Sequence, residues 1–370
     1  MTKSEILFLE LLKAGLWSDA GYEFQTANFK LGIPNDSDTW NEIYRLAQMQ
    51  TVTGIVTDGI TTAGTDRVQI PKELKIKMIQ DVVRIEKKNE KMNIFLPQLV
   101  RELEKNGLYS WLLKGQGVAQ YYPHPNHRHC GDIDLYFHSF EDYGAAVNLL
   151  LPYNPTAYKK DELVINGITV ELHHEIVART NRKLQKNFNI WMQHTKQGEP
   201  KDQREKSVLP PVAFDSIYIF IHMMRHYFEG GIGLRQVSDW MRFQHMHRAQ
   251  IDREKLRADL KMLGVTRIWQ VFGAMAVDFL GCPQDSMPFY DRKYTRDGAT
   301  ILQYILRSGN FGFYDDRLQN RPRNFYLGKL YSFWGQTQMI LRNLRMFPEE
   351  SLRALPVLVK GGMGRVKHKK

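Results

Sequence analysis

The chain has 370 residues, of which 43% are hydrophobic and 25% charged, and its 51 basic and 40 acidic residues give a net charge of +11. This composition excludes wholesale disorder, and the length favours two domains, or one domain with an extension. The two cysteines, Cys130 and Cys282, exclude a disulfide framework and a zinc site built from cysteines alone.

The excess positive charge is concentrated near the C-terminus. Residues 206–370 carry 26 of the basic and 14 of the acidic residues, and five of the basic residues lie in the last eleven positions. Such a charge indicates an anionic partner but says nothing about the fold. Arginines and lysines alternate with aromatic residues between 317 and 345, a pattern that single-stranded nucleic acid can bind, although an amphipathic helix with a solvated basic face is the favoured interpretation.

No membrane-targeting or membrane-spanning pattern is evident. Glu5 and Glu10 interrupt the first apolar stretch, which argues against a signal peptide, and no apolar run reaches the roughly 18 residues that cross a bilayer. With so few cysteines, the sequence predicts a cytoplasmic protein.

The first 95 residues are predicted to be helical. An apolar stretch begins at Ile6, Asp36 to Asp38 offer an N-cap for a second helix, and Pro71 begins a long helix. Pro97 lies within that long helix and predicts a kink or a break, and Gly107 is expected to end it as a left-handed cap.

The middle of the chain predicts a small mixed sheet with two or three helices. Strands are expected at 109–113 and 132–137, with a glycine turn and a short helix at 115–122 and another helix at 140–151. Asn166-Gly167 between two β-rich runs at 162–165 and 168–172 predicts a hairpin.

Helices dominate the rest of the chain, with expected spans of 212–228, 234–246, 251–263, 268–280, 295–307 and 334–346. The sequence therefore predicts an α+β fold in which a small mixed-sheet core is flanked by helical regions at both ends. The expected division is a helical region at 1–95, the core at 96–205, a helical domain at 206–350 and a basic tail at 351–370.

Asp132 and Asp134 are the most informative pair. Alternate residues of a strand face the same side, so two carboxylates about 7 Å apart repel each other unless a cation lies between them. Hard divalent cations such as Mg²⁺ suit this arrangement, especially beside phosphate oxygens. By itself, the pair is equally consistent with solvated carboxylates on an edge strand.

Three further features support a metal–phosphate site. Gly115 follows a strand and precedes a short helix, where backbone N–H groups are able to approach a phosphate. Glu171 adds a third carboxylate on the second strand of the hairpin. Arg128 lies just before Gly131 and the acidic pair, where it either binds a triphosphate or balances the local acid.

The combination resembles an uncharacterised bacterial nucleotidyltransferase family within the polymerase-β-like nucleotidyltransferase superfamily. The matching motifs are Leu-Leu-Lys-Gly at 112–115, Arg-x-x-Gly-Asp-Ile-Asp-Leu at 128–135, Glu-Leu-His at 171–173 and Gly-Leu-Arg…Asp-Trp at 233–240. Where the superfamily usually has glycine or serine after the strand-end glycine, this chain has Gln116.

The resemblance implies transfer of a nucleoside monophosphate from an NTP, such as ATP, to an acceptor hydroxyl, with release of pyrophosphate. It implies that Mg²⁺ or Mn²⁺ is held by Asp132, Asp134 and Glu171, which are also the expected catalytic residues. Expected nucleotide-binding residues are Lys114, Gly115, Gln116, Arg128, Gly131 and Arg235. The acceptor, whether a small molecule, a sugar, a protein or RNA, is not indicated.

Two other functions fit parts of the pattern. Metal-dependent glycosyltransferases also use Asp-x-Asp, but they place a large α/β domain before it, whereas helices are expected here. A non-catalytic protein that binds nucleotide or nucleic acid and keeps the fold is the second alternative.

Other chemistry-bearing residues have simpler interpretations. His124, His127, His129 and Cys130 share a loop whose spacing matches no standard zinc site. His222 and His226 are expected to be interior histidines. The glycines at 230–233 are interpreted as a joint between helices, with Arg235 and Asp239 as an i,i+4 ion pair, in preference to an Arg235 aimed at the nucleotide.

Overall fold

The computed structural model describes residues 1–24, 36–64, 68–155, 159, 161–176, 182–197, 208–229 and 231–310, and beyond these 314, 324, 327–328, 334, 337, 341 and 343–348. Within these residues, one four-stranded mixed sheet is flanked by helices, which confirms the α+β prediction.

In the described part of the chain, four α-helices precede the sheet: α1 (Lys3–Leu16), α2 (Ser37–Met49), α3 (Thr53–Ala63) and α4 (Lys72–Lys105). The predicted cap of α2 is present, since the Asp36 side chain accepts a hydrogen bond from the backbone N–H of Thr39 at 2.8 Å. Helix α3 was not predicted, because its threonines, glycines and valine favour no helix on their own. Tertiary packing therefore stabilises it.

Helices α1 and α3 cross at van der Waals contact through two glycines. A Cβ atom on Gly15 would lie 1.9 Å from the carbonyl oxygen of Ile55, and one on Gly59 would lie 1.8 Å from that of Leu11. Backbone atoms cannot move aside as a flexible side chain does, so only glycine permits this approach.

We predict that Gly59→Ala lowers the free energy of unfolding by about 3 kcal/mol, because α1 and α3 must separate to admit one methyl group. Gly144→Ala is the matched control, since no heavy atom lies within 4 Å of a Cβ at that position. It should leave stability unchanged or raise it by about 0.5 kcal/mol. Urea unfolding compares the two, and equal stabilities would contradict the close crossing.

Helix α4 continues through Pro97 without a break. Its buried side chains, including Phe95, Leu99 and Leu103, pack against the sheet, and this contact outweighs the one hydrogen bond that the proline removes. Asn106 ends the helix and Gly107 follows with φ 72°, the left-handed cap that the sequence predicts. The predicted domain boundary at 95/96 falls inside this helix.

The sheet has the order β1-β2-β4-β3, in which β2 and β4 are parallel and the other pairs are antiparallel. Asn166 and Gly167 have φ values of 53° and 71°, so they form the predicted tight hairpin turn. The strands are β1 (Ser110–Leu113), β2 (Ile133–Phe137), β3 (Glu162–Ile165) and β4 (Ile168–His173).

The two faces of the sheet differ in chemistry. On β2, Ile133, Leu135 and Phe137 face a core formed with α4 and the following helix α6 (Phe140–Leu150). The alternate residues face the other side, and there Asp134 and Glu171 replace apolar side chains. The strand pattern therefore delivers acidic groups to one face of the sheet only.

The remaining helices are α5 (Gly115–Ala119), α7 (Arg182–Gln197), α8 (Val212–Glu229), α9 (Leu234–Met246), α10 (Arg253–Leu263), α11 (Thr266–Leu280) and α12 (Thr295–Ser308). Helix α7 was not predicted. The other helices of this group match their predicted spans within two residues, except α5, which covers the first part of the turn and helix predicted at 115–122. Parts of the helix predicted at 334–346, most of the basic–aromatic segment at 317–345 and all of the tail at 351–370 lie outside the described residues. Across the described chain, none of the helices combines the length and apolarity that a membrane span requires.

Candidate active site

A cavity of about 300 Å³ lies between one face of the sheet and helices α8 and α9. One wall consists of the ends of β1, β2 and β4 and the loops beside them, and helical side chains form the opposite wall. The predicted site residues that line it are Lys114, Gly115, Arg128, Gly131, Asp132, Asp134, Glu171 and Arg235.

The acidic residues are brought together by strand pairing. Asp134 on β2 and Glu171 on β4 are direct partners in the parallel register, although 37 positions separate them in sequence. Residues paired in this way share a face of the sheet, so both carboxylates point toward the cavity. Asp132 immediately precedes β2, is half-buried and lines the same cavity.

Asp134 is fully buried and is held by two cationic or polar groups. His173 Nε2 lies 2.8 Å from its Oδ1 atom and Lys114 Nζ lies 3.1 Å from its Oδ2 atom. His173 also lies 3.6 Å from Glu171 Oε2. Within the described residues, Asp134, Glu171 and His173 form a group whose ligand atoms all lie within 4.8 Å of one another, a spacing that suits a single metal ion.

The electrostatics of these groups depend on one another. Burial alone would raise the pKa of Asp134, but Lys114 and His173 together hold that pKa below its usual value. Burial opposes the charge on Lys114, and the three carboxylates Asp134, Asp132 and Glu171 still raise its pKa. Burial and the two neighbouring aspartates raise the pKa of Glu171, which brings it closer to the range of a general base.

The turn after β1 adopts an unusual backbone conformation. Lys114 has φ 44°, which is rare for a residue with a side chain, and Gly115 has φ 46°. A Cβ on Gly115 would also lie 3.3 Å from the carbonyl oxygen of Asp132. The turn is thus packed directly against the loop that carries the acidic pair, and it aims Lys114 at Asp134.

Gln116 differs from the other predicted nucleotide-binding residues. Its side chain points away from the cavity and donates a hydrogen bond to Asn93 Oδ1 on α4 at 2.7 Å. A contact between phosphate and the backbone of Gln116 stays a prediction.

The helical wall carries His222 and His226, which the sequence analysis interpreted as interior histidines. Together with Tyr218 and Arg225 they lie at positions i, i+4, i+7 and i+8 on α8 and line the cavity. The two imidazoles lie 3.1 Å apart, Nε2 to Nε2. Burial and nearby cations lower the pKa of His226 to about 3 and that of His222 well below its usual value, so both are neutral at pH 7. In the sequence, the i,i+4 spacing of His222 and His226 was the signal that could have placed both histidines on one face of the helix.

Arg128 and Arg235 are placed differently from each other. Arg128 is 3% exposed and forms a two-pronged ion pair with Asp239 at 2.7 and 2.6 Å. Tyr122 donates a further hydrogen bond to Asp239 at 2.7 Å.

The expected Arg235–Asp239 pair does not form, since Arg235 instead donates to the carbonyl oxygen of His129 at 2.9 Å and lies beside Gly131. Arg235 therefore closes over the loop that precedes the acidic pair.

His127 fixes the other side of that loop. Its ring lies 2.6 Å from Asp58 on α3 and 3.0 Å from Glu86 on α4. The Asp58 hydrogen bond is the largest cause that raises the pKa of His127 to about 9, against the opposing effect of burial. The histidines of this loop thus serve packing and ion pairing, and the described loop residues do not assemble a zinc site.

We predict a pH dependence of stability that comes from His127. Its pKa is about 9 in the folded chain and about 6.5 when unfolded, so its stabilisation is complete below pH 6.5 and is lost as the pH rises through 9. The free energy of unfolding should fall by about 1 kcal/mol over that interval, because solvent screens the partly exposed pair. His127→Gln should remove this difference and His124→Gln should retain it. Urea unfolding at pH 6 and pH 9.5 provides the measurement, and parallel pH profiles for the wild type and His127→Gln would contradict it.

Comparison with protein families gives a match over most of the chain. A family model described as an uncharacterised nucleotidyltransferase matches residues 36–281, which include every residue named at the cavity. Comparisons with curated proteins and with solved structures find no match.

Proposed function

We propose that the chain, which belongs to the uncharacterised nucleotidyltransferase family, transfers a nucleoside monophosphate from an NTP to an acceptor hydroxyl and releases pyrophosphate. The observation that carries this proposal is the in-register placement of Asp134 and Glu171 on one wall of the cavity, opposite the cationic side chains of Arg225 and Arg235. An acidic wall facing a basic wall is complementary to a metal–triphosphate complex.

The donor set fits a divalent cation. Asp134 Oδ2 is buried, receives no hydrogen bond of normal geometry within the described chain, and has Lys114 as its ion-pair partner. Asp132 and Glu171 add oxygen donors at the same cavity, and oxygen donors are what Mg²⁺ and Mn²⁺ prefer. When bound, such ions polarise the attacked phosphorus and neutralise the charge of the triphosphate.

The chain's own residues supply the remaining requirements. Asp132, Asp134 and Glu171 would hold the cation, and a carboxylate oxygen of Glu171 would accept the proton of the acceptor hydroxyl. The acceptor oxygen forms a bond to the α-phosphorus as the bond from that phosphorus to the bridging oxygen breaks. Lys114 and Arg235 would balance the negative charge that develops on the departing pyrophosphate. Direct contact of Arg128 with phosphate stays a prediction, since Asp239 already engages its guanidinium.

The proposal is tested by incubating the protein with each α-labelled NTP, ATP first, with Mg²⁺ or Mn²⁺, and with candidate acceptors. The acceptors are the protein itself, an RNA pool and small hydroxylated metabolites. Label that moves to an acceptor, with stoichiometric release of pyrophosphate, supports it.

Two assays separate the alternatives. Hydrolysis of sugar nucleotides without any nucleotidyl transfer would favour a glycosyltransferase. Calorimetry that shows tight NTP binding in the presence of Mg²⁺, but no turnover with any acceptor, would favour a non-catalytic binding protein.

A further inference from the structure

We infer that His173 is a direct ligand of the catalytic cation, alongside Asp134 and Glu171, and that this mixed nitrogen–oxygen set makes the site bind Mn²⁺ more tightly than Mg²⁺. The inference rests on the proposed function and goes beyond it, because it names which ion the site selects and which side chain is responsible.

The first support is the backbone register. Glu171 and His173 are two positions apart on β4, so they share a face, and Asp134 on β2 is paired with Glu171. Strand geometry alone therefore directs one imidazole and two carboxylates toward the same point. No loop rearrangement is needed to bring them together.

The second support is the spacing of the ligand atoms. An ion with bonds of about 2.1 Å places neighbouring ligands about 3 Å apart and opposite ligands about 4.2 Å apart in an octahedron. His173 Nε2 lies 2.8 Å from Asp134 Oδ1 and 3.6 Å from Glu171 Oε2. The three residues therefore already have a spacing close to that of a coordination sphere.

The third support is the charge balance. Asp134 is completely buried, and Lys114 is the cation that balances it within the described residues, at a cavity that also holds Asp132 and Glu171. On the strand wall three carboxylates face one ammonium group, while Arg225 and Arg235 lie on the opposite, helical wall, and this local excess of negative charge favours a divalent cation among the carboxylates.

The choice of ion follows from the nitrogen donor. Oxygen ligands suit both Mg²⁺ and Mn²⁺, whereas an imidazole nitrogen suits transition ions and not Mg²⁺, so the added nitrogen widens the preference for Mn²⁺. In the present contact Nε2–H of His173 donates to Asp134, since a carboxylate only accepts. Ligation through Nε2 requires that this nitrogen carry no hydrogen, so the ring hydrogen resides on Nδ1 when the ion is bound.

His174 supplies a matched control within the same strand end. It is adjacent in sequence and equally exposed, with a side-chain exposure of 30%, as for His173. Its ring packs on Tyr143 at 4.5 Å and on Phe140 at 5.1 Å and does not line the cavity.

The test is pulsed electron paramagnetic resonance of the full chain loaded with Mn²⁺, which detects coupling between the ion and a directly bound ¹⁴N nucleus. Imidazole coupling is expected in the wild type and in His174→Ala, and it should disappear in His173→Ala. Calorimetry in parallel should show Mn²⁺ bound about tenfold more tightly than Mg²⁺ by the wild type, with a smaller difference in His173→Ala and an unchanged one in His174→Ala.

The outcomes separate this inference from the proposed function. Bound Mn²⁺ that depends on Asp134 but shows no nitrogen coupling in the wild type overturns the role of His173 and leaves nucleotidyl transfer intact. Coupling that persists in His173→Ala assigns the nitrogen to another residue and also overturns it. Absence of any bound cation, with or without NTP, overturns both proposals. A wild-type spectrum without nitrogen coupling overturns the role of His173 even if a variant fails to fold.

Discussion

Replacing Asp134 with asparagine is expected to reduce nucleotidyl transfer by about a thousandfold. The change removes one negative charge from the centre of the acidic wall, where Asp134 is buried between Lys114 and His173. An amide is a poor ligand for a divalent cation, and it leaves Lys114 without its closest anionic partner. The rate of label transfer from α-labelled NTP measures the effect, and thermal unfolding confirms that the variant is folded.

Glu171 and Glu162 provide the matched pair for this experiment. They are direct partners across β3 and β4 and so share a face of the sheet, but only Glu171 lines the cavity. Glu171→Gln should lose about a hundredfold in rate or more, whereas Glu162→Gln should retain wild-type activity. Transfer that survives Asp134→Asn combined with Asp132→Asn would contradict the assignment of the metal ligands.

Breaking the ion pair between Arg128 and Asp239 should cost about 3–5 kcal/mol of stability. Both side chains are nearly inaccessible, so Arg128→Met leaves a buried carboxylate whose remaining hydrogen-bond partner among the described residues is the Tyr122 hydroxyl. Asp239→Asn similarly leaves a buried guanidinium uncompensated. The double variant Arg128→Met with Asp239→Leu should recover part of the loss, because neither buried charge then remains.

Arg84 is the control for that prediction. It pairs with Asp81 on the surface of α4, and its side chain is 75% exposed. Arg84→Met should therefore change the free energy of unfolding by less than about 1 kcal/mol. A stable Arg128→Met variant that no longer binds NTP would contradict a structural role for the Arg128–Asp239 pair. It would support the direct contact between Arg128 and phosphate that the sequence predicts.

Local sequence signals predicted most of the secondary structure. Asn166-Gly167 specified its hairpin because both positions adopt positive φ, which these two residues tolerate. Asp36 and Gly107 marked helix ends through interactions within one turn of chain. Predictions succeeded where the determining contacts lie within a few residues.

Predictions failed where distant contacts decide the outcome. Helix α3 has poor intrinsic propensity and depends on the close approach of Gly59 to α1. Asp239 pairs with Arg128, a residue 111 positions away, and not with Arg235 on its own helix. A single sequence shows that Arg235 and Asp239 are four residues apart on one helix. It does not show that the distant Arg128 is buried beside Asp239 and pairs with it instead.

The sequence by itself determined the α+β class, the acidic residues and the family resemblance that the family match confirms. These depend on strand alternation, turn chemistry and a short run of residues, all of which are local. Only the tertiary structure decided that His173 joins Asp134 and that the α8 histidines face the cavity. Strand register and helix packing bring together residues far apart in the chain, and no local pattern encodes that proximity.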